Sequence, residues 1–593
     1  MTVTLRAADV LARRLYAAGC RHAFGMPGGE VLTLVDALVK AGIQFHLAKH
    51  ENAAGFIGEG LHHADGAPVI LVATLGPGAL NGVNVVANAH QDRVPMLVLT
   101  GCVDASEAQS YTHQVLDHPA VFAPITKASF RLEAEVADII ADKAVSLACA
   151  PRNGPVHIDV PISVADQPAR DRGVRQAPPA PTQPAPAALS QARSWLAQAQ
   201  RPVAIIGLDA LQENAGPEIR AFLEHHQIPF VTSYKAKGIL PETHALCLGA
   251  AGLSPLADTH LLPLIQRADL ILGLGYDPIE MRPGWRNIWD PAAQRVIDIT
   301  PEANSHYMHQ ASLAFVAALK PTLAALTQDS TPTSGITWPC ASPTEVKTAL
   351  AEAFPSHDDW GPAAVIAQCR DSLPENTLAT ADSGAHRILL SQMWQCNAPR
   401  ALIQSSGLCT MGCAVPMAIG RKLADPDRPV VSFSGDAGFL MVAGDLATAA
   451  ELGLAPIFVV FADASLALID LKQRQRQLPN AGVDLARHDF AAIGRAFGGN
   501  GVTVRNRDAL DKALQQALAS DRFTVISAEI EPGGYDGRIE PTARRNPQSA
   551  QPWRPQRRKS AGSVAHSGRP YLHPVAWRSW RHCNQGREPQ DRR

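Results

Sequence analysis

The chain has 593 residues, 46% hydrophobic and 18% charged, too many for one hydrophobic core and enough for three domains of ordinary size. Its formal charge of −2 is unevenly placed, because residues 544–593 hold 11 Arg and one Lys against Glu588 and Asp591 and leave the remainder acidic, at about −12. An acidic body excludes a nucleic-acid groove and a basic membrane face, and ten scattered cysteines, of which Cys409 and Cys413 are nearest, make no zinc site and read as reduced thiols.

Residues 7–161 alternate helical patterns with short apolar runs, such as 69–73 and 96–100, each closed by Gly, Pro or Asn. This predicts an α/β unit with a parallel sheet over residues 1–166. Within it, Lys49-His50-Glu51-Asn52 reads either as a buried strand end bearing a carboxylate or as a helix start. Residues 167–187, rich in Pro, Ala and Gln, read as a linker. A second unit over 188–327 has strands at 203–206, 230–232 and 270–274, followed by Tyr276-Asp277-Pro278-Ile279-Glu280. The Ser/Thr/Pro-rich stretch 328–343 is the next break, and a third α/β unit is expected over 345–535.

The third unit carries Asp382-Ser383-Gly384-Ala385-His386 and then an apolar run, Val430-Val431-Ser432-Phe433, leading to Gly435-Asp436-Ala437-Gly438. An aspartate in such a turn can hold a divalent metal against a diphosphate. Asp463 follows after a helical stretch and a strand at 457–461, and with the backbone carbonyl of Ser465 it adds the hard oxygen donors that magnesium needs. The fold class expected is α/β, three doubly wound parallel-sheet domains. Residues 540–593, rich in Arg and Pro and containing Trp553, Trp577 and Trp580, show no period and are expected to be disordered. They read either as a basic interaction arm or as out-of-frame sequence appended to a complete protein. No apolar run is long enough to span a membrane and no leader pattern opens the chain, so the expected compartment is the cytoplasm.

Taken in order, several motifs resemble the acetolactate synthase branch of the thiamine diphosphate-dependent enzymes. They are Phe24-Gly25-Met26-Pro27-Gly28-Gly29, His50-Glu51, Leu75-Gly76-Pro77-Gly78-Ala79-Leu80-Asn81, Gly412-Cys413-Ala414-Val415-Pro416 and the Asp436 to Asp463 segment. His113-Gln114-Val115-Leu116-Asp117 and Pro124-Ile125-Thr126-Lys127 look like the catabolic, FAD-independent members, whose metal motif also uses aspartate where Asp463 stands. Ala437 and Ala462 depart from the family pattern, which has glycine and asparagine there.

The resemblance implies thiamine diphosphate and Mg2+ as cofactors, with no FAD. It implies that Glu51 bonds the aminopyrimidine ring, that Met411 wedges between the cofactor's rings, and that the Cys409 backbone accepts from its amino group. Gly384, Ala385, His386, Gly435 and Ala437 would cradle the diphosphate, Asp436, Asp463 and Ser465 would hold the metal, and Gln114 would face the substrate. Lys472 stands where a substrate-reading residue is found in relatives, and a cation there would clamp an anionic acceptor. For Met411 ordinary core packing is the alternative, for His386 a structural role, for Gln114 a surface amide, and for Lys472 a solvated helix face. The implied reaction decarboxylates pyruvate and joins the remaining unit to a second 2-oxo acid, giving 2-acetolactate. A 2-oxo acid decarboxylase or related acyl transferase is the second reading, and a noncatalytic relative the third. The implied assembly is a homodimer or homotetramer with active sites at the subunit interface, with small 2-oxo acids as ligands and neither nucleic acid nor membrane as partner.

Overall fold

The computed structural model describes residues 5–173, 180–304, 306–328, 330–338 and 342–540. The basic tail with its three tryptophans, and parts of both expected linkers, lie outside them.

The described chain builds three six-stranded parallel sheets flanked by helices. Across the first, the strands run Gln44–Leu47, His22–Met26, Val69–Ala73, Met96–Cys102, Pro155–Pro161, Ser129–Arg131. The second runs Cys247–Ala251, Phe230–Ser233, Pro202–Ile206, Leu270–Leu274, Arg295–Thr300, Leu313–Val316, and the third Leu402–Gln404, Leu378–Ala381, Val430–Gly435, Ile457–Ala462, Thr524–Glu529, Asn500–Val504. Their central strands are buried end to end, as in Val69–Ala73, Met96–Cys102 and Ile457–Ala462, which is why they read as unbroken apolar runs: helices cover both faces of a parallel sheet. Numbered along the chain, the first and third sheets share the order 2-1-3-4-6-5, while the middle sheet has the order 3-2-1-4-5-6. In each, the order reverses between two neighbouring strands, and ligands of such folds collect in the crevice at their C-terminal ends.

Two segments expected to be linker are partly built into the fold. Pro168–Ala169 pairs antiparallel with Leu5–Arg6, and Arg172 reaches Asp138 at 2.5 Å. Thr333 is buried, where it bonds the Leu196 carbonyl, and the helix Pro343–Ala353 buries Val346 in the core of the middle sheet.

The first and third sheets are joined by helices Glu51–Asp65 and Ala414–Ala424, which cross with backbone against backbone. A Cβ built on Gly60 would lie 2.1 Å from the Met417 carbonyl oxygen, and one on Gly420 would lie 1.9 Å from that of Ile57. The two glycines face one crossing from opposite sides, and Phe56, Ile57, Met417, Ile419, Phe439 and Phe458 share the core around it.

Candidate active site

The register of the third sheet explains why two aspartates 27 positions apart meet. Gly435 pairs with Phe461 in neighbouring parallel strands, so Asp436 and Asp463 emerge side by side at the same sheet edge. Asp436 does not sit in an open turn: the strand runs through Gly435, and Asp436 is the first residue of helix Asp436–Val442. Ala437 therefore occupies a helical position that demands no glycine backbone, and its N–H donates to Asp436 Oδ1 at 3.0 Å.

Asp436 and Asp463 are both 4% exposed. Burial raises the Asp436 carboxyl above its usual range, and burial together with the Asp436 charge pushes Asp463 up to about 7. Backbone N–H groups of Ala464 and Ser465 donate to the two carboxylates, but no Lys, Arg or His among the described residues pairs with either. Two adjacent buried carboxylates lacking a cationic side chain fit a divalent cation, which would relieve their repulsion. Ser465 is fixed within this turn, since Leu485 N–H bonds the Ala464 carbonyl and Leu466 N–H bonds that of Val483.

Beside this pair lies His386, whose ring stacks on Phe461 with centroids 5.3 Å apart and lies against Gly384 and Gly435. It is fully enclosed, and burial lowers its pKa to about 3, so it is the neutral imidazole. Its Nε2 is buried without a hydrogen-bond partner among the described residues. An orphaned polar atom of this kind costs about 1–3 kcal/mol unless a ligand satisfies it. Ala385 is buried next to it, at the start of helix Ala385–Met393.

Asp382, to which the sequence motifs assign no role, ties the cradle together. It is fully buried, accepts from the backbone N–H groups of Gly412, Cys413 and Ser383, and is raised to about 6 by burial. It thereby fixes the loop that carries Cys409 and Met411. Both of these line a cavity of about 550 Å³ with His50, Asn52, Asn84 and Met441, so Met411 faces open space rather than a packed core.

Glu51 is not a strand end. The strand stops at Leu47 and Glu51 opens the helix Glu51–Asp65, whose His50 cap accepts from Asn52 N–H. Its carboxylate is buried and lies against the segment Pro77–Asn81. Asn81 Nδ2 donates to Oε2 at 3.0 Å, and a Cβ on Gly78 would lie 3.1 Å from Oε1. No hydrogen bond or ion pair among the described residues joins Glu51 to the Asp436 group. Gln114 is exposed, with its backbone against Gly76. Lys472 is exposed on helix Ala467–Gln475 and makes no ion pair among the described residues, whereas its neighbours Asp470 and Arg474 pair with each other.

Gln114, Cys409 and Ala464 are three of the nine non-glycine residues with positive φ among those described, at 58°, 56° and 56°. Each costs on the order of 1 kcal/mol or more, and such strain concentrates where a site imposes the backbone path.

Three family descriptions match in succession: thiamine pyrophosphate enzyme, N-terminal TPP binding domain, over residues 5–121; the central domain over 189–326; and the C-terminal TPP binding domain over 382–528. The chain is 28% identical over 537 residues to the acetolactate synthase of Bacillus subtilis (strain 168), covering 89% of this chain and 93% of that protein. It is 30% identical over 549 residues to acetolactate synthase isozyme 1 large subunit of Escherichia coli (strain K12), covering 88% and 94%. To the catabolic acetolactate synthase of Raoultella terrigena it is 27% identical over 548 residues, covering 88% and 95%.

Proposed function

Since the chain belongs to the thiamine pyrophosphate enzyme family, as an acetolactate synthase-like transferase, we propose that it decarboxylates pyruvate and joins the two-carbon remainder to a second 2-oxo acid, with thiamine diphosphate and Mg2+ and without FAD. The observation that carries the reading is the buried Asp436–Asp463 pair with the unpartnered His386 Nε2 beside it. Asp436, Asp463 and the Ser465 carbonyl would hold the cation, and Gly384, Ala385, His386 and Gly435 the diphosphate. When bound, thiamine diphosphate supplies the carbon acid that adds to the 2-oxo acid and takes up the electron pair left by carbon dioxide.

The protein's own groups do the rest. Glu51 would hold a proton at the aminopyrimidine ring, and Met411, at the edge of its cavity, would pack against the cofactor's rings. Gln114 and Lys472 would orient the acceptor, the Lys472 ammonium by pairing with the carboxylate of the acceptor. Thr112-His113-Gln114 offers no pair of histidines to protonate the two-carbon unit, which favours joining over release as an aldehyde. Arg93 at 2.8 Å and Arg152 at 3.8 Å, both from the first domain, pair with Asp277 of the middle domain.

That no bond among the described residues joins Glu51 to the Asp436 group of its own chain supports a site completed by a second copy. Leu80, in the segment against Glu51, is exposed, as are Leu440 and Met441 on the helix that Asp436 opens. Apolar rims on both half-sites suit a two-fold dimer in which each rim covers the other.

The test is pyruvate turnover with thiamine diphosphate and Mg2+ and no FAD, with carbon dioxide followed and the product identified. Acetolactate is expected. Acetaldehyde would reassign the chain to a decarboxylase, and cofactor binding with no consumption of pyruvate or other 2-oxo acids would make it a noncatalytic relative.

A further inference from the structure

His118, His157 and Asp159 form a buried cluster whose ligand atoms lie within 4.8 Å of one another, a grouping that could hold a metal ion. Every one of those ring nitrogens already has a hydrogen-bond partner. Gly76 N–H donates to His118 Nε2 at 3.0 Å, so that nitrogen carries no proton, and His118 Nδ1–H donates to Asp159 Oδ1 at 2.8 Å. Thr100 Oγ1 donates to the same oxygen at 2.6 Å, His157 Nε2 donates to Thr100 Oγ1 at 2.7 Å, and Ser129 Oγ donates to His157 Nδ1 at 2.7 Å. Burial alone would raise Asp159, but the bond from His118 and the His157 ring 3.4 Å away hold it well below the ordinary carboxylate range. An acceptor-only carboxylate thus fixes the direction of every bond in the network.

The open end of this network is the Gly76 backbone. Gly76 has φ 61°, and a Cβ there would meet the Gln114 carbonyl oxygen at 2.8 Å, so its path is available only to glycine. Gly76 leads into Pro77–Asn81, the segment whose Gly78 and Asn81 bound the two oxygens of Glu51. Four residues before His118, Gln114 is strapped against the same glycine.

We propose that His118 is a positioning residue: as a neutral acceptor backed by Asp159, it anchors Gly76 and thereby sets both the Pro77–Asn81 segment against Glu51 and the backbone that presents Gln114. The proposal rests on the catalytic role proposed for Glu51. It requires nothing of the cofactor, because the anchor is made by the chain itself.

Two substitutions separate anchoring from simple satisfaction of Asp159. In His118→Gln the carboxamide oxygen reaches the Nε2 position and still accepts from Gly76, while the donor to Asp159 is lost. In His118→Asn the amide nitrogen takes the Nδ1 position and still donates to Asp159, while nothing accepts from Gly76. Amide hydrogen exchange of residues 74–81 is measured by mass spectrometry in cofactor-free protein, alongside kcat and KM for pyruvate. The Asn variant is expected to exchange this segment roughly tenfold faster and to lose roughly tenfold in kcat with little change in KM, while the Gln variant stays near wild type on both. Equal behaviour of the two variants, or a worse Gln variant, overturns the proposal. Rapid exchange of the segment in the wild-type protein overturns it without any variant, and so covers the case in which neither variant folds. If wild type consumes no pyruvate the functional reading fails, and the exchange comparison still decides the anchor.

Discussion

Replacing Gly60 with alanine should separate the two helices that hold the first and third sheets together. A methyl group there would begin 2.1 Å from the Met417 carbonyl oxygen, against 3.4 Å for ordinary contact, so the helices must part by roughly 1.3 Å. The obstacle is backbone and cannot rotate away, which places the cost at the upper end of the overpacking range, about 3 kcal/mol. Alanine returns about 1 kcal/mol through helix propensity, leaving a net loss of about 2 kcal/mol. For cooperative units of this size that corresponds to a fall of roughly 4–8 °C in melting temperature. Gly420→Ala, at 1.9 Å from the Ile57 carbonyl oxygen, should cost at least as much. One separation relieves both contacts, so the double variant should cost less than the sum of the singles by about 1 kcal/mol or more. Melting followed by circular dichroism reads all three proteins, with pyruvate turnover as a second channel, since Glu51 begins one helix and the Met411 loop enters the other. A rise in melting temperature for Gly60→Ala would refute the close crossing, and strict additivity would refute the shared separation.

Glu51→Gln and Asp436→Ala should each abolish turnover while leaving the fold intact; mixed after reversible dissociation, they should recover about a quarter of wild-type activity. Half the random dimers would then be mixed, each with one intact site of its two; zero recovery would place both residues of a site in one chain. Glu59 is fully buried with Asn88 Nδ2 on one oxygen and Lys235 3.9 Å from the other, and burial pushes its pKa up to about 7. The folded protein therefore retains a proton that the unfolded chain has lost, and stability on this account falls as pH rises from the ordinary glutamate range through the raised value. The melting-temperature advantage of Glu59→Gln over wild type should grow between pH 5 and pH 8, by about 1.4 kcal/mol in stability for each pH unit between the unfolded and folded pKa values, and a flat difference would refute the raised pKa. Truncation after Glu540 should leave melting and turnover unchanged. Truncation before Arg538 should lower the melting temperature, because it removes Ile539, which is fully buried and bonds Leu256 N–H through its carbonyl.

What the sequence revealed was governed by neighbours along the chain or by strands adjacent in both sequence and space. The runs at 69–73 and 457–461 announced buried parallel strands because burial on both faces removes any alternation. Asp436 and Asp463 could be paired because a strand–helix–strand unit returns to the neighbouring position in the sheet, and Gly435 opposite Phe461 fixes the register. The helix beginning at Glu51 was legible only as an alternative, since the decisive signal is a cap made by a histidine ring rather than by Ser, Thr, Asp or Asn. The Pro168–Ala169 pairing was hidden because two residues of strand leave no periodic trace.

The His118 network was invisible for a different reason. Its members come from a short helix and three strands, and they meet only because Thr100 lies opposite Asp159 and Ser129 opposite His157 in the register of the first sheet. None of its members belongs to a motif, whereas the glycine they anchor does. The motif residues mark where the backbone must pass; the parts that hold it there are distributed over long separations, and a single side chain such as His118 can be read as structural or positioning only once its two nitrogens have been assigned. In this chain the donor at Gly76 and the acceptor at Asp159 make that assignment, so the acceptor face of His118, rather than its bulk or charge, is what links the first sheet to the Glu51 carboxylate.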